Sequence, residues 1–302
     1  MPPMSPKPNP PQLLPLPLLA ALFAVTAWGL TAPITKVAVT TLDPLAVAVL
    51  RTVLAGIVTV PLALVLGLRL PSRREHWLFL CLSACCGFVL FPLLFSLGLR
   101  WTTAARGVLI LAAMPVLTGL YVALIDRRRP SGRWAVGCML ALAGEALLIL
   151  ARGGGQAGEG QLLGDALVVL SALAASFGYV AGGKLQQQGY SPWATTLWGV
   201  GLATPFVAPI LLFVGFDARP GASALLGWGS TIYLALVSTV IAYVAWYWAL
   251  GKGGIARMAT IQFLQPVTGV IVAVLWLGEA FTATMLAASV AIVAGVVIVQ
   301  RR

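Results

Sequence analysis

The sequence predicts an all-α membrane protein with ten transmembrane helices, arranged as two inverted five-helix repeats around a central cavity. Three observations lead to this fold class. Apolar stretches of about 20 residues, the length of a membrane-spanning helix, fill almost the whole chain. Only 9% of the 302 residues are charged, against roughly 25% in soluble domains. Several prolines, lysines and arginines also recur about 150 positions apart.

Short polar turns separate the apolar stretches and leave no room for a soluble domain. A proline-rich tail at residues 1–16 leads into the first stretch, and we expect it to be disordered and cytoplasmic. Residues 17–151 and 166–300 would then form the two repeats. The predicted spans, numbered 1 to 10 in chain order, are residues 17–38, 44–67, 77–98, 105–125, 134–151, 166–185, 192–214, 225–250, 256–276 and 282–299.

The placement of the cations indicates how the chain is oriented in the membrane. The formal net charge is +11. With the N-terminus inside, thirteen lysines and arginines fall in cytoplasmic segments and five fall outside. This bias predicts both termini in the cytoplasm, and it explains the basic composition without a nucleic-acid partner. The thirteen are Lys7, Arg69, Arg73, Arg74, Arg127, Arg128, Arg129, Arg133, Lys184, Lys252, Arg257, Arg301 and Arg302.

The two halves of the chain repeat each other's polar positions. Lys36 and Pro44 recur as Lys184 and Pro192, 148 positions later. Further along, the separation becomes 151 positions and stays constant, which indicates a duplicated five-helix unit. The pairs at this separation are Arg106 with Arg257, Pro115 with Pro266, Ser131 with Thr282, and Gly144 with Gly295.

An odd number of spans in each repeat means that the second repeat crosses the membrane in the opposite sense. The charges of one turn agree with this inversion. The turn at 126–133 contains three consecutive arginines, whereas its counterpart before Thr282 contains Glu279 and no cation. Inverted repeats are a recurrent design of secondary transporters and place the substrate site near the middle of the bilayer.

Two of the repeated residues are prolines near the centres of spans 4 and 9. Proline removes a backbone hydrogen-bond donor and bends a helix. Bends at Pro115 and Pro266 would frame a central cavity, and plain helix curvature is the alternative explanation.

Aromatic and polar side chains at mid-membrane depth are the candidates for lining this cavity. Aromatic faces with a few amide or hydroxyl donors suit an apolar or aromatic zwitterion. Ordinary packing and hydrogen bonding between helices are the alternative roles. The substrate-binding candidates are Trp28, Phe91, Tyr179, Tyr243, Trp246, Gln262 and Gln265.

Two charged residues, Arg51 and Glu145, lie inside predicted spans. An embedded charge costs roughly 2.5–3.5 kcal/mol on insertion scales. Both residues lie roughly 10 Å below the outer surface, counted at the helical rise per residue. We therefore expect a structural ion pair between them, with proton coupling by Glu145 as the alternative.

Gly178 and Gly182 form a pair of small residues four positions apart in span 6. Such a pair either seats a helix inside a bundle or forms a dimer face. We expect the former, because Tyr179 and Lys184 lie on the same short stretch. We accordingly expect the protein to act as a monomer in the lipid bilayer.

A set of short motifs spread over nearly the whole chain points to a known family. The motifs are Trp28–Gly29 followed by Lys36, Arg51 early in span 2, Met114–Pro115, Gln265–Pro266, and Leu277–Gly278–Glu279 followed by Thr282. Together they resemble the EamA-type branch of the drug/metabolite transporter superfamily over residues 17–300. The resemblance implies a multi-pass exporter of small metabolites in the bacterial inner membrane, similar to the bacterial aromatic and neutral amino-acid exporters, that works by alternating access.

Other functions have less support in the sequence. We expect no enzyme, because there is no HExxH motif, no nucleophile near the single histidine, His76, and no phosphate-binding glycine loop. We expect no cofactor or metal either. An exchanger of nucleotide-sugar or phosphorylated metabolites is the alternative transporter, and its polyanionic substrates would need several cations in the cavity. A non-transporting membrane scaffold is the remaining alternative.

Overall fold

The computed structural model of the chain describes residues 15–151, 160–216, 223–268 and 282–300. These residues form α-, π- and 3₁₀-helices joined by short turns, and they contain no β-strand. Seven of the described helices are long and apolar enough to cross a membrane, so the protein is an all-helical, multi-pass membrane protein. The seven are Leu16–Thr41, Pro44–Val65, Arg74–Trp101, Gln161–Gln187, Pro192–Phe213, Ala224–Gly253 and Ala283–Gln300.

The first half begins with a divided helix and contains a π-helix in its third span. Its elements are α1 Pro15–Gly29, α2 Thr31–Thr41, α3 Pro44–Val65, α4 Arg74–Ser83, the first π-helix Ala84–Leu90, α5 Phe91–Trp101, α6 Ala104–Leu111, α7 Met114–Ile125 and α8 Gly132–Ala151.

The second half follows a similar order, with a π-helix again in its third span, although its first span is one continuous helix rather than two. Its elements are α9 Gln161–Gln187, α10 Pro192–Val207 with the 3₁₀-helix Ala208–Phe213, α11 Ala224–Tyr233, the second π-helix Leu234–Ile241, α12 Ala242–Gly253, α13 Ile255–Ala259 with the 3₁₀-helix Thr260–Leu264, and α14 Ala283–Gln300.

The second span of each half starts with the same local device. The Asp43 carboxylate caps α3 by accepting from the backbone N–H of Leu45 at 2.8 Å, and Pro44 follows it. Ser191 caps α10 through its hydroxyl, and Pro192 follows it. A short polar side chain before a proline is a strong helix start, because it satisfies free N–H groups where proline needs none.

The fourth span of each half is interrupted next to its repeated proline. Helix α6 ends at Leu111 and α7 begins at Met114, beside Pro115. In the second half, the 3₁₀-helix Thr260–Leu264 ends two residues before Pro266. Proline cannot donate to the carbonyl four residues earlier, which explains why the regular helix is lost at both positions.

Helices α8 and α14, the fifth elements of the two halves, pack along a seam of small residues. A Cβ added to Gly137 would lie 2.6 Å from the Gly295 carbonyl oxygen, and one added to Gly144 would lie 2.8 Å from the Ala288 carbonyl oxygen. Residue numbers rise along α8 as they fall along α14, so the helices are antiparallel. Gly137 and Ala288 are 151 positions apart, as are Gly144 and Gly295, so the two contacts are equivalent under the repeat.

Helices α3 and α10 show the same relation. A Cβ on Gly56 would overlap the side chain of Thr204, which is its own equivalent 148 positions later. A Cβ on Gly201 would lie 2.8 Å from Val60 Cγ2. These helices are also antiparallel, so equivalent helices of the two halves run in opposite directions where they meet.

Some of the predicted spans differ from the observed elements or are described only in part. Span 4, expected as one helix over 105–125, is divided into α6 and α7 because Pro115 removes a backbone donor. Span 5 corresponds to α8, and span 9 is described only to residue 268. Residues 1–14, most of the 152–165 turn and the Leu277–Gly278–Glu279 turn lie outside the described residues. The number of ten spans therefore stays a prediction.

The outer surface of the bundle is apolar, as a lipid environment requires. Large hydrophobic side chains on this surface are more than 60% exposed, whereas a soluble protein exposes few such side chains together. Among them are Leu64, Val65, Leu124, Leu162, Phe206, Leu212, Phe213 and Leu225.

Gly178 and Gly182 face the interior of the bundle. A Cβ on Gly178 would lie 3.1 Å from the backbone nitrogen of Gly87 in the first π-helix, and a Cβ on Gly182 would overlap the Tyr247 ring. The pair seats α9 closely against the third spans of both halves, as expected. It is therefore not available as a dimer face.

Candidate substrate site

Four aromatic side chains, Trp28, Tyr179, Tyr243 and Trp246, form a cluster that we call the aromatic cluster. The Trp28 ring stacks on Tyr179 with centroids 5.5 Å apart, and it makes edge contacts with Tyr243 at 5.1 Å and Trp246 at 5.3 Å. Tyr179 in turn contacts both of those rings. None of the four is more than 6% exposed. The cluster joins α1 of the first half to α9 and α12 of the second.

Two further rings extend the aromatic cluster towards span 3. The Phe88 ring lies 4.7 Å from Tyr243, and the Tyr247 ring lies 5.6 Å from it. The Tyr247 hydroxyl is 2.7 Å from the Ser83 hydroxyl. Positions three and four apart share one face of a helix, which explains why Tyr243, Trp246 and Tyr247 of α12 all point inward.

The second π-helix supplies polar groups to this site. The Trp28 indole N–H donates to the Ser238 carbonyl oxygen at 2.8 Å, and the Thr31 and Ser238 hydroxyls are 3.0 Å apart. The Thr239 hydroxyl donates to the Leu234 carbonyl, five residues earlier. A π-helix widens the turn and is often found at functional sites. Here it places Ser238 and Thr239 beside spans 1 and 2.

The first π-helix supplies backbone carbonyls in a similar way. The Thr52 hydroxyl donates to the Phe88 carbonyl at 2.8 Å, and the Tyr243 hydroxyl lies 3.5 Å from the Gly87 carbonyl. Both bonds join different spans, and both use carbonyls of the π-segment. The two π-helices thus anchor the helices that surround the aromatic cluster.

Arg51 lies beside the aromatic cluster and is only 2% exposed. Its Nε donates to the Thr239 hydroxyl at 2.9 Å, and its Nη2 donates to the Ser238 hydroxyl at 3.3 Å. The guanidinium carbon lies 5.4 Å from the centre of the Phe91 ring, a cation–π contact. This guanidinium is therefore held by neutral groups.

Three buried polar atoms in this region have no hydrogen-bond partner in the described structure: Arg51 Nη1, Trp246 Nε1 and Gln262 Oε1. Buried polar groups are normally paired, so each unpaired atom calls for an explanation. A substrate that carries its own donors and acceptors would supply the missing partners.

The remaining candidates lie at different distances from the aromatic cluster. Gln262 is 2% exposed, and its amide lies near the Tyr179 hydroxyl. The Phe91 ring makes the cation–π contact with Arg51 and stacks on the Phe95 ring, with the two ring centroids 5.4 Å apart. Gln265 is half-buried, and among the described residues no ring contact or side-chain hydrogen bond joins it to the aromatic cluster. Its carbonyl instead faces the α1–α2 break, 3.0 Å from where a Cβ on Gly29 would lie.

Both repeated prolines are buried close to the candidate site. Pro266 follows Gln262 by four positions and cannot donate to its carbonyl. On the other side, the Met114 carbonyl next to Pro115 accepts a hydrogen bond from the Ser176 hydroxyl at 3.2 Å. The Met114 carbonyl thus links the break in span 4 to α9 of the other half, whereas the Gln262 carbonyl accepts from the Gln265 N–H within its own 3₁₀ turn.

The expected ion pair between Arg51 and Glu145 is wrong. Arg51 is held by Ser238 and Thr239, whereas Glu145 lies on α8, which packs against α14 at the seam described above. Glu145 is 1% exposed, and its Oε2 has no hydrogen-bond partner among the described residues. Two residues at equal depth in the bilayer can lie on helices that do not pack together. Here α3 packs against α10, whereas α8 packs against α14.

Two ion pairs join α9 to span 4, one at each end of these helices. Arg106 on α6 pairs with Asp165 near the start of α9, and Lys184 near the end of α9 pairs with Asp126 after α7. Span 4 and α9 belong to different halves. The pairs therefore tie the two halves together on both sides of the aromatic cluster.

A cavity of about 500 Å³ lies at the end of α9 that carries Lys184. It is separate from the aromatic cluster, because it begins at Gln186, about 10 Å further along α9 than Tyr179 at the helical rise per residue. The Tyr190 hydroxyl at its edge donates to the Arg69 carbonyl at 2.8 Å, and burial raises the pKa of Tyr190 to about 12. Its lining comprises Gln186, Gln187, Gly189, Tyr190, Ser191, Pro192, Trp248, Gly251 and Lys252.

The two halves of the chain each match the model of one protein family, described as the EamA-like transporter family. The matches cover residues 15–150 and 162–301, close to the two predicted repeats. The chain belongs to the EamA-like transporter family. The repeated prolines, the paired π-helices and the antiparallel equivalent helices are thus features of an EamA-like transporter with two family domains.

Several proteins similar to this EamA-like transporter are named as transporters. "Uncharacterized transporter YdeK" of Bacillus subtilis is 32% identical over 276 residues, covering 89% of this chain and 91% of that protein. "Probable amino-acid metabolite efflux pump" of Salmonella typhimurium is 29% identical and covers 92% of each chain. "Probable terminal-alkyne amino-acid exporter" of Streptantibioticus cattleyicolor is 26% identical, covering 94% of this chain and 93% of that protein.

A solved crystal structure has the same fold as this EamA-like transporter. The two superimpose with a TM-score of 0.76 at 18% sequence identity, and the match covers 94% of this chain and 98% of the other. At this identity the likeness concerns the arrangement of helices alone. It agrees with the family match over nearly the whole chain.

Sequence reasoning missed the polar groups that hold Arg51 and Trp28. Ser238 and Thr239 are adjacent polar residues inside an apolar span, and this interruption was the available signal. Their orientation depends on the π-helix, which does not follow from hydrophobic periodicity. Thr31 was also missed, because its partner Ser238 lies 207 positions away and its orientation depends on the same π-helix.

Proposed function

We propose that this EamA-like transporter exports small metabolites, in particular neutral and aromatic amino acids, across a bacterial inner membrane by alternating access. The aromatic cluster carries this proposal, because it is buried, is built from both halves and adjoins unpartnered polar atoms. Aromatic walls with a few polar groups suit the side chain and the zwitterionic end of such an amino acid. Two relatives named as exporters of amino acids or their metabolites support this substrate class.

Alternating access would use the relation between the two halves. We propose ten spans in two inverted repeats, residues 17–151 and 166–300, with both termini cytoplasmic. The antiparallel packing of α3 with α10 and of α8 with α14 supports the inversion. Inverted repeats allow two equivalent gates, one on each side of a central site. The ion pairs at the two ends of α9 lie where such gates would open and close.

The two alternatives to this proposal have less support. A nucleotide sugar or phosphorylated metabolite would need several cations, and Arg51 is the only buried cation among the described residues. A scaffold without transport would not explain why buried donors and acceptors are left unpaired around the aromatic cluster.

The proposal can be tested with purified protein in proteoliposomes loaded with labelled amino acids. Single substitutions of Trp28, Tyr179 or Gln262 by alanine should each reduce export of phenylalanine about tenfold or more. Such a factor corresponds to the loss of one well-packed aromatic or polar contact. Binding and flux should fall together, while membrane insertion stays normal.

Trp193→Ala provides the matched control, because Trp193 is 47% exposed on α10 and away from the aromatic cluster. It should transport like the unmodified protein. Full export by all three site variants at equal expression would show that the path lies elsewhere. Absence of any amino-acid flux through the unmodified protein would favour the scaffold or another substrate.

A further inference from the structure

Arg51 is the only cation buried in the part of the chain that the structure describes, and it lies where a substrate would bind. Tyr179 and Tyr243 of the aromatic cluster are near enough to interact electrostatically with its guanidinium group. The Phe91 ring lies under the guanidinium carbon at 5.4 Å. The charge therefore adjoins the aromatic walls and is sealed from water.

No negative charge compensates Arg51 within the described structure. Of the five N–H groups of an arginine side chain, one on Nε and one on Nη2 donate to hydroxyls of Thr239 and Ser238. Nη1 has no partner. A buried cation without a counter-charge is unfavourable and marks a functional position when it occurs inside a membrane.

The second π-helix fixes the guanidinium from one side. Its two hydroxyls occupy Nε and Nη2, and the Ser238 hydroxyl is itself held by Thr31 at 3.0 Å. This leaves donors of the Nη1 side for a ligand. A guanidinium presents parallel N–H groups whose geometry matches a carboxylate, and this match is stronger than a neutral hydrogen bond.

We propose that Arg51 is the carboxylate receptor of the transport site. The substrate is then a monoanionic carboxylate whose acid group pairs with the Arg51 guanidinium while its apolar body lies against the aromatic cluster. This inference rests on the proposed export function. It adds which group of the substrate is recognised and which residue recognises it. A single buried cation matches one negative charge, which excludes polyanions as the preferred substrates.

The inference predicts a strict requirement for a free carboxylate. The probes are phenylalanine, phenylalaninamide and 3-phenylpropionate, which share the aromatic ring but differ in the acid or the amino group. Binding to the detergent-purified protein can be followed by isothermal titration calorimetry. We expect phenylalanine to bind at least about 30-fold more tightly than its amide, because an unpaired buried charge remains when the amide binds.

Substitution of Arg51 should remove this discrimination. In Arg51→Gln, phenylalanine should bind about 30-fold more weakly while the affinity for phenylalaninamide stays within a few-fold. Arg51→Lys keeps the charge without the paired donors. Its affinity for phenylalanine should lie between those of the unmodified protein and Arg51→Gln. Arg100→Gln is the matched control: Arg100 is exposed and also lies over an aromatic ring, at 5.1 Å from the Trp101 centroid, and its substitution should change nothing.

The possible outcomes separate this inference from the export proposal. Equal binding of phenylalanine and its amide by the unmodified protein would overturn the role of Arg51 but leave amino-acid export intact. Binding of 3-phenylpropionate that depends on Arg51, without binding of any amino acid, would overturn the export proposal and support the carboxylate receptor. If Arg51→Gln fails to fold, Arg51→Lys tests the assignment to this residue, and equal binding of phenylalanine and its amide by the unmodified protein would still overturn it.

Discussion

Trp28 connects the two halves of the molecule through a single side chain. Its ring contacts Tyr179, Tyr243 and Trp246, and its N–H group donates to the Ser238 carbonyl. All four partners belong to the second half, whereas Trp28 lies in α1 of the first. A tryptophan at this depth is unusual, since most lie at the membrane surface. Its position is explained by the edge-on and stacked contacts that the aromatic cluster provides.

Glu145 is a buried carboxylate whose Oε2 has no hydrogen-bond partner among the described residues. We expect Glu145→Gln to unfold at the same or a higher temperature in detergent, because no described cation loses a partner and a buried carboxylate costs roughly 2.5–3.5 kcal/mol on insertion scales. Glu75→Gln is the control at an exposed position: a glutamine there can still accept the hydrogen bond that Gln188 donates to Glu75, so this variant should unfold like the unmodified protein. Thermal unfolding monitored by intrinsic fluorescence provides the measurement.

The double variant of Arg51→Gln and Glu145→Gln sharpens this test. Because the two side chains do not touch, their effects on the free energy of unfolding should add within about 0.5 kcal/mol. A coupling energy well above that value, or a large loss of stability in Glu145→Gln alone, would show that the two charges interact after all.

At the scale of elements, irregular helices build the candidate site. The π-helices Ala84–Leu90 and Leu234–Ile241 direct carbonyls and hydroxyls at neighbouring spans, and beside Pro115 the Met114 carbonyl accepts from the Ser176 hydroxyl of α9. A regular α-helix satisfies its own backbone and has few such groups to offer. The regular helices α3, α8, α10 and α14 instead provide the contacts between equivalent helices of the two halves.

The small-residue seam between α8 and α14 leads to a stability prediction. Gly137→Ala and Gly144→Ala should each lower the free energy of unfolding by about 1–3 kcal/mol, because the added methyl group would lie under 3.0 Å from a backbone carbonyl of α14. Thermal or denaturant unfolding of the purified protein in detergent measures this loss.

Gly229→Ala on α11 is the matched control for the seam, since nothing lies within 4 Å of its added Cβ. It should leave the stability unchanged or raise it by up to about 1 kcal/mol, the gain in helix propensity from glycine to alanine. If the seam variants behave like this control, close packing of α8 on α14 does not hold the halves together.

The whole molecule combines two family domains whose equivalent helices run antiparallel where they meet. The substrate candidates lie between these domains, and ion pairs join them at both ends of α9. Both ion pairs are partly exposed to solvent, and solvent-exposed ion pairs contribute about 0–1 kcal/mol each. The proposed alternating-access cycle would need these pairs to break and form as the two halves move.

Membrane topology is the prediction that belongs to this scale. In a variant whose four cysteines are replaced by serine, a cysteine at Arg128 should react with a membrane-impermeant thiol reagent only from the cytoplasm. Cysteines at Gln156 and Glu279 should react only from outside, because the positive-inside bias places the arginine-rich turn in the cytoplasm. Labelling of whole cells and of inverted vesicles compares the two sides.

The topology test has a clear opposite outcome. Reaction of the cysteine at position 279 from the cytoplasm alone would place equivalent turns of the two halves on the same side. The second half would then not be inverted, and the mechanism with two equivalent gates would have to be abandoned.

The sequence by itself determined the membrane class, the duplication and most of the aromatic candidates. Hydrophobicity is a property of a residue and its near neighbours along the chain, so the apolar stretches, the repeated prolines and aromatic faces such as that of Tyr243, Trp246 and Tyr247 could be predicted directly. The family match over both halves agrees with the duplication.

Only the tertiary structure decided what the embedded groups contact. Arg51 finds its hydroxyl partners 187 and 188 positions away, and a π-helix orients them, whereas the predicted partner Glu145 lies in another contact of the bundle. Depth along a span can be counted from the sequence, but rotation of each helix and the choice of its neighbours result from packing. A buried charge can be held by a counter-charge, by hydroxyls or by a ring face, and the linear pattern does not distinguish these.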